Sequence, residues 1–299
     1  MSRILVTGSE GFIGSFLLPK LLVSGHEIYT IDLKPSRVSL NHFQTDITDT
    51  DLDSIFSSVK PEVVVHLAAQ VVVLDSFENP HRDLEVNGFG TLSLVRASLK
   101  AGCSNFCYIH SGGAVYDSDS PIPFDERGHE NPVSPYGLSK NLGEGYVRIL
   151  SELAGSSWSS LAYSNIYGPV LEHKRGVIYE FWNALTNGLS PTIFGGNVTR
   201  DFLFIDDAVR AILIAIDNPT NSRVNISAGV EISIAELFLM ISRQMKVSIE
   251  PIVKAPRPGE ILRSCLDNNR AKEILKWIPK VSLEDGLALC IPSNEKPLV

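Results

Sequence analysis

A doubly wound parallel Rossmann sheet with a second, smaller α/β lobe is the α/β fold that this sequence predicts. Short apolar runs alternate with helical patterns through the first half, and a glycine-rich turn follows the first run. The 299 residues also exceed the length at which a single core usually stops growing.

The run Arg3-Ile4-Leu5-Val6-Thr7 predicts a strand over 3–7, and the pattern turns helical from residue 11. Strands follow at 27–31, just before Thr45-Asp46-Ile47, at 62–67, at 105–110 and at 159–165. They read as continuous apolar runs, the pattern of strands buried on both faces of a parallel sheet, and helices long enough for crossover connections separate them. Two helices look long, over 82–100 and 135–153. Both carry apolar residues at helical spacing with small residues between them, a surface suited to packing across a homodimer. After about residue 166 the alternation is lost. The stretch 170–197 is rich in Gly, Asn and aromatics, a strand and a helix return over 201–216, and a proline-rich stretch spans 251–258. The expected division is a dinucleotide-binding domain over 1–168 and 198–222, with a second lobe assembled from 169–197 and 223–299. No internal repeat or low-complexity segment is visible.

An excess of 34 acidic over 26 basic residues gives a formal charge of -8, which provides no general attraction to nucleic acid or to an anionic membrane. Neither is expected as a partner, and an anionic ligand would need local arginines. Cys103, Cys107, Cys265 and Cys290 have no short paired spacing of the zinc-binding kind and are too sparse for a disulfide framework. No metal site is expected, and a reducing cytoplasm is the expected location. No export signal is visible ahead of the first strand. The longest nearly apolar stretch, 63–74, contains His66 and Gln70 and falls short of the roughly 20 residues a membrane helix needs.

Gly8, Gly11 and Gly14 form a G-x-x-G-x-x-G run directly after the first strand and at the start of the first helix. Glycines there permit a tight turn and let backbone amides approach a pyrophosphate, which the helix N-terminus then faces. The second strand ends at Asp32, about 20 residues on, where a carboxylate can accept from the adenosine ribose hydroxyls. That acid would repel a 2′-phosphate, so NAD is favoured over NADP. Lys34 and Arg37 lie close by, either softening that preference or belonging to a solvated loop. Asp46, next to Ile47, is placed to accept from the adenine amino group. Leu67-Ala68-Ala69 ends a strand with small side chains, either beside the cofactor or for close packing.

Tyr136 and Lys140 make a Y-x-x-x-K pair at the start of a predicted helix, on one of its faces. A phenol of pKa about 10 acts as a base near neutrality only if positive charge lowers it. Lys140 and an oxidised nicotinamide are the expected sources of that charge.

The ordered motifs Thr7-Gly8-Ser9-Glu10-Gly11-Phe12-Ile13-Gly14, His66-Leu67-Ala68-Ala69, Ser111-Gly112-Gly113-Ala114-Val115-Tyr116, Tyr136-Gly137-Leu138-Ser139-Lys140, Arg200-Asp201-Phe202 and Arg257-Pro258-Gly259-Glu260 span nearly the whole chain. Through them the sequence resembles the extended short-chain dehydrogenase/reductase family, and within it the UDP-glucose (UDP-galactose) 4-epimerases. The resemblance implies that Tyr136 takes a proton from the sugar hydroxyl and that Lys140 binds the nicotinamide ribose. It places Gly8, Gly11, Phe12, Ile13, Gly14, Asp32, Asp46, Ile47, Leu67, Ala68 and Ala69 at the NAD, together with Tyr136 and Lys140. Such enzymes carry a Ser or Thr three residues before the valine of the Val115-Tyr116 motif, where this chain has Gly112. Ser111, one residue away, is the candidate replacement or else merely ends the strand, and a serine restored at 112 is expected to be tolerated.

The same segment bears on the reaction. Sugar 4,6-dehydratases of the family place an acidic pair, and decarboxylating relatives a glutamate, where this chain has Gly113 and Ala114. Neither can move a proton. The resemblance therefore implies 4-epimerisation of a UDP-hexose through a 4-keto sugar. Arg200 and Arg257 match the family's phosphate-binding arginines, Asn165 the residue that contacts the diphosphate, and Glu260 the one that holds the uridine ribose. Arg200 has an alternative, since Asp201, Asp206 and Asp207 could pair with it on the surface. Four residues beyond Glu260, Ser264 is small enough to leave room for an N-acetyl group on the sugar. An epimerase or reductase acting on another nucleotide sugar such as UDP-glucuronate, and an NAD-sensing regulator without turnover, are the competing readings.

Overall fold

In the computed structural model, residues 1–38, 41–49, 51–117, 119–169, 176–256 and 261–290 are described. Strand β1 (Arg3–Thr7) leads into helix α1 (Phe12–Leu22), then β2 (Glu27–Asp32), β3 (Asn41–Gln44), α2 (Leu52–Val59) and β4 (Val63–His66). Helices α3 (Val73–Glu78), α4 (Pro80–Leu84) and α5 (Thr91–Lys100) follow, with a π-helical stretch Glu85–Gly90 between the last two. Next come β5 (Asn105–Ser111), a short 3₁₀ turn Gly112–Ala114, α6 (Pro135–Ala154), β6 (Ser157–Tyr163) and β7 (Asn165–Tyr167). The remainder is α7 (Val177–Thr186), β8 (Thr192–Phe194), β9 (Thr199–Arg200), β10 (Phe202–Phe204), α8 (Ile205–Asp217), β11 (Arg223–Ile226), β12 (Ile232–Ser233), α9 (Ile234–Met245), β13 (Ile252–Lys254), α10 (Asn269–Ile274) and α11 (Leu283–Cys290).

Seven strands form one parallel sheet in the order β11-β6-β5-β4-β1-β2-β3. The predicted doubly wound α/β sheet is present. Alternation along the strands splits the core into two layers. Ile4, Val6, Val63 and Val65 face α1 and α8, while Leu5, Ile31 and Val64 face α2, α5 and α6. The chain order reverses between β1 and β4. In an open α/β sheet, the crevice beyond the carboxyl ends at such a switch point is where ligands bind.

Four local expectations are revised. The long helix over 82–100 is interrupted at Glu85–Gly90, a form that favours functional positions. The single strand over 159–165 divides into β6 and β7. The Ser164 amide donates to Ile226 and that of Asn165 to Asp201, so the chain leaves the large sheet to pair with β10. A boundary at residue 222 cuts just ahead of β11, which is the edge strand of the central sheet beside β6. The helix over 135–153 runs one residue further, to Ala154. Ser134 caps it by accepting from the Gly137 amide, Pro135 occupies its first turn, and it stops at Gly155 in the left-handed region.

Outside the large sheet, β8 pairs with β13, β9 with β12, and α7 packs on α9 with the rings of Phe181 and Phe238 5.7 Å apart. All four cysteines are free. Among the described residues, no helix is long and apolar enough to cross a membrane, and no cluster of His, Cys, Asp and Glu could hold a metal ion.

Candidate active site

A cleft of about 920 Å³ opens at the switch point, and Gly8, Gly11, Phe12, Ile13, Gly14, Asp32, Asp46, Ile47, Leu67, Ala68 and Ala69 all line it. The glycines are required by space. Gly8 has φ +69°, and a Cβ there would lie 2.5 Å from the Ala68 amide nitrogen; on Gly14 it would lie 2.2 Å from the Ser9 carbonyl oxygen. The result is a cradle of main chain at the start of α1, the shape and donor chemistry that a pyrophosphate needs. Asp32 accepts from the amides of Glu10 and Lys34, each at 2.9 Å, and its carboxylate faces the same cleft. NAD fits this set of groups.

Asp46 differs from its expected role in one respect. Its carboxylate takes the Thr48 amide and hydroxyl and the Arg82 guanidinium at 2.6 Å. Burial alone would raise its pKa, but those hydrogen bonds prevail and hold it below the usual range. An adenine amino group would share Asp46 with Arg82, which also lines the cleft. Nothing in the sequence signalled Arg82, because 36 residues separate it from Asp46.

A second pocket of about 510 Å³ is lined by Ser111, Gly113, Ala114, Tyr136, Lys140, Asn165, Arg200 and Ser264. It shares Ile13, Leu67, Ala69, Val71, Asn165 and Ile166 with the first, so the two are continuous. Tyr136 and Lys140 reach it from the first turns of α6. Burial pushes the Tyr136 phenol up to about 12; the Ser111 hydroxyl, as hydrogen-bond partner, pulls it down, and Asp83 pushes it further up. Burial also drives Lys140 down to about 7, against the pull of Asp83 and Glu144. The expectation that Lys140 lowers the phenol is therefore not met by the chain's own groups. A lysine at about 7 carries only part of a charge at neutral pH.

Beneath this pair lies a polar network that sequence reasoning missed. Asp83, 1% exposed, accepts from Gln70 Nε2 at 2.8 Å, from Asn87 Nδ2 at 3.2 Å and from the Ser139 hydroxyl. On an amphipathic helix Asp83 reads as a surface residue; only the packing of α4 against α6 buries it. His66 is a structural post. Burial first, and then Lys140, drives it down to about 3, so the ring is neutral. Thr91 donates to the Asn87 carbonyl, so His66 Nε2–H donates to Thr91 at 3.0 Å and Nδ1 accepts from Thr7 at 2.7 Å.

Ser111 and Gly112 point in different directions. Ser111 lines the pocket beside Tyr136, whereas a Cβ on Gly112 would lie 2.4 Å from Cδ1 of Leu266, which is fully buried. The serine expected to be tolerated at 112 would have to displace that methyl group, and Leu266 packs with Val115, Tyr116 and Phe124.

On the far wall, Arg200 donates to the Thr199 and Ile261 carbonyls at 2.8 and 2.7 Å. The three nearby acids hold other partners. Asp201 accepts from the amides of Ala228 and Gly229, Asp206 pairs with Lys20, and Asp207 pairs with Arg210. The hydroxyl of Ser264, 2% exposed, has no hydrogen-bond partner among the described residues and would sit 3.1 Å from a Cβ on Gly113. Arg257 and Glu260 lie outside the described residues.

A profile of the NAD dependent epimerase/dehydratase family matches residues 4–227. The UDP-glucose 4-epimerase of Mycolicibacterium smegmatis is 39% identical over 302 residues, covering 96% of each chain. Among solved structures, the UDP-glucose 4-epimerase of Thermotoga maritima with UDP-glucose superposes with a TM-score of 0.91 at 36% identity, over 96% of this chain and 97% of that one. The Thermus thermophilus UDP-glucose 4-epimerase complex with NAD gives 0.88 at 30% identity, over 96% and 97%.

Proposed function

The chain belongs to the NAD dependent epimerase/dehydratase family, and from that premise we propose that it epimerises a UDP-hexose at C4, interconverting UDP-glucose and UDP-galactose and also their N-acetylated counterparts. The observation that carries this reading is the placement of Tyr136 and Ser111 on the wall of a pocket continuous with the dinucleotide cleft, a wall that Gly113 and Ala114 also line. The latter two residues supply no acid or base for eliminating water. Epimerisation needs none beyond the tyrosine.

When bound, oxidised NAD would supply an acceptor for the C4 hydride that later gives the same hydride back to C4, and a positive charge that favours the phenolate. Tyr136 removes the proton from the C4 hydroxyl as the C4–H bond breaks, and returns it to the same oxygen after the 4-keto sugar has turned its other face. Ser111 holds that oxygen through its hydroxyl. Lys140 binds the nicotinamide ribose, and the positive charge that favours the phenolate comes with the oxidised cofactor. Asn165 and Arg200 hold the diphosphate, the guanidinium offering a forked set of donors. Arg257 and Glu260 take the second phosphate contact and the uridine ribose by resemblance alone. Ser264 leaves the C2 side of the sugar open to an N-acetyl group.

Incubation of the protein with UDP-glucose and with UDP-N-acetylglucosamine, read by NMR of the product sugars, tests both parts. Both 4-epimers are expected. Conversion of UDP-glucose alone rejects the open pocket, and conversion of neither rejects the reaction.

The working unit is a homodimer on this reading. Phe89 in the π-helical stretch and Leu138, Leu142, Ile149 and Leu153 on α6 are exposed apolar residues on the two long helices, and a second copy would cover them as a four-helix contact. A monomer in light scattering at micromolar concentration would overturn it.

A further inference from the structure

Asp201 stands between β9 and β10, in the segment Arg200-Asp201-Phe202, and is fully buried. Its main chain and its side chain tie together separate parts of the far wall of the sugar pocket. The carbonyl accepts from the Asn165 amide at 2.9 Å. The carboxylate accepts from the amides of Ala228 and Gly229, each at 3.1 Å, from that of Leu266 at 3.4 Å, and from the Cys265 thiol at 3.8 Å. Just before it, the Arg200 guanidinium donates to the Ile261 carbonyl at 2.7 Å and the Thr199 amide to that of Leu262 at 2.9 Å. The stretch that carries Ser264 is therefore held on both sides by residues 199–201.

We propose that Asp201 is a positioning residue for UDP-sugar binding: it latches Asn165, Arg200 and Ser264 into one wall, and does so only while its carboxyl is ionised. The inference rests on that wall holding the diphosphate and the sugar, as proposed above. An ionised carboxylate offers acceptors alone, which is what three amides and a thiol require. A proton on the oxygen shared by Gly229, Cys265 and Leu266 would turn an acceptor into a donor facing donors, and the longest of the amide bonds, that of Leu266, would open first. Burial pushes the Asp201 carboxyl up to about 6, and the amides of Leu266, Gly229 and Ala228 draw it back. Glu231 and Asp267 stand around the same Cys265 thiol. Arg263 pairs with Glu231 at 2.8 Å and holds it below the usual carboxylate range, while burial pushes Cys265 up to about 12 and keeps the thiol a donor. Asp201 thus loses its charge just below neutrality while Glu231 keeps its own. Phe124 holds Cys265 and Asp267 through main-chain bonds of 2.9 and 2.8 Å, so the segment stays in the fold when the latch opens and its pocket face shifts.

Isothermal titration calorimetry on the full chain, saturated with NAD+ and titrated with UDP-glucose, tests the latch. The diphosphate of UDP-glucose is esterified at both ends and keeps its charge across the range used. Wild type should bind about tenfold more weakly at pH 5 than at pH 7.5, the change expected when one group that titrates near 6 must be ionised for tight binding. At the higher pH, Asp201→Asn should bind UDP-glucose at least about tenfold more weakly than wild type, because an amide donates where the carboxylate accepts. Its affinity for NAD+ should be unchanged and its pH dependence towards UDP-glucose lost. Equal weakening of both ligands in the variant would mark Asp201 as a general support of the fold and overturn the proposal. A wild-type Kd that stays flat between the two pH values, or a pH dependence that survives in Asp201→Asn, would overturn it too. If the variant does not fold, the wild-type series decides, with NAD+ titrated alone over the same range as its reference: weakening confined to UDP-glucose supports the latch, and parallel weakening of both ligands rejects it. Failure of wild type to bind UDP-glucose at the higher pH would instead reject the reading beneath it.

Discussion

The cofactor cleft and the sugar pocket share a wall, yet they are built on different physical terms. The cleft is made mostly of main chain and absent side chains. Its glycines stand within seven residues of each other at the end of one strand, and Asp32 closes the next. The pocket is made of polar and ionisable side chains contributed by separate segments, from Ser111 and Tyr136 to Arg200 and Ser264. Its chemistry depends on how far burial moves each pKa. Main-chain recognition can be written into a short motif, whereas a tuned phenol and ammonium exist only once the surrounding segments have packed.

Substitutions that separate the two regions test this contrast. Tyr136→Phe has the largest expected effect, a fall in turnover of at least about a hundredfold with NAD still bound, the usual worth of a general base. Parallel loss of NAD would show that the two regions are not separable in this way. Gly14→Ala does the reverse: a Cβ 2.2 Å from the Ser9 carbonyl must displace backbone. It should cost about 1–3 kcal/mol of stability, as overpacking does, and weaken NAD binding. Unfolding by urea and calorimetry with NAD+ would measure both, and an unchanged NAD+ affinity would refute the space argument.

Ser111→Ala should reduce turnover by about tenfold, the order of one lost hydrogen bond in the transition state, with folding intact. Gly112→Ser should instead lower stability without raising turnover, because its side chain meets Leu266. Equal effects of the two would erase the distinction between the pocket-facing and core-facing neighbours.

A further effect is on stability against pH. Lys140 titrates at about 7 in the folded chain against an ordinary 10.5. Between those values the unfolded chain holds a proton that the folded chain lacks. This group therefore makes the fold more stable as pH rises through the window and less stable as pH falls towards 7. Lys140→Met should flatten that rise by a few kcal/mol, at about 1.4 kcal/mol per pH unit, while abolishing turnover. Urea melts of both proteins at several pH values would measure the difference, and identical slopes would place Lys140 outside the buried site.

Much of the architecture was legible because it follows from local rules. Alternating apolar runs set the strands of the sheet, and glycine spacing with Asp32 at the end of the second strand located the cleft. Ser134-Pro135 marked the start of the helix that carries Tyr136 and Lys140. Other features were decided by contacts distant in sequence. Asp83 looks like a surface acid until α4 packs on α6, and Arg82 reaches Asp46 only across the cleft. Arg37 reads as loop charge until Glu10 engages it. The strand after β6 breaks because Asp201 offers its carbonyl to Asn165, and β11 joins the large sheet although it follows the expected boundary. Sequence by itself determined the periodicities and the tight turns, since a residue's conformational preference acts on its immediate neighbours. Tertiary structure alone decided which charges are buried and paired, and so which side of Ser111-Gly112 faces the chemistry and how far Tyr136 and Lys140 move from their ordinary pKa values, because desolvation and Coulomb energies depend on everything folded around a group.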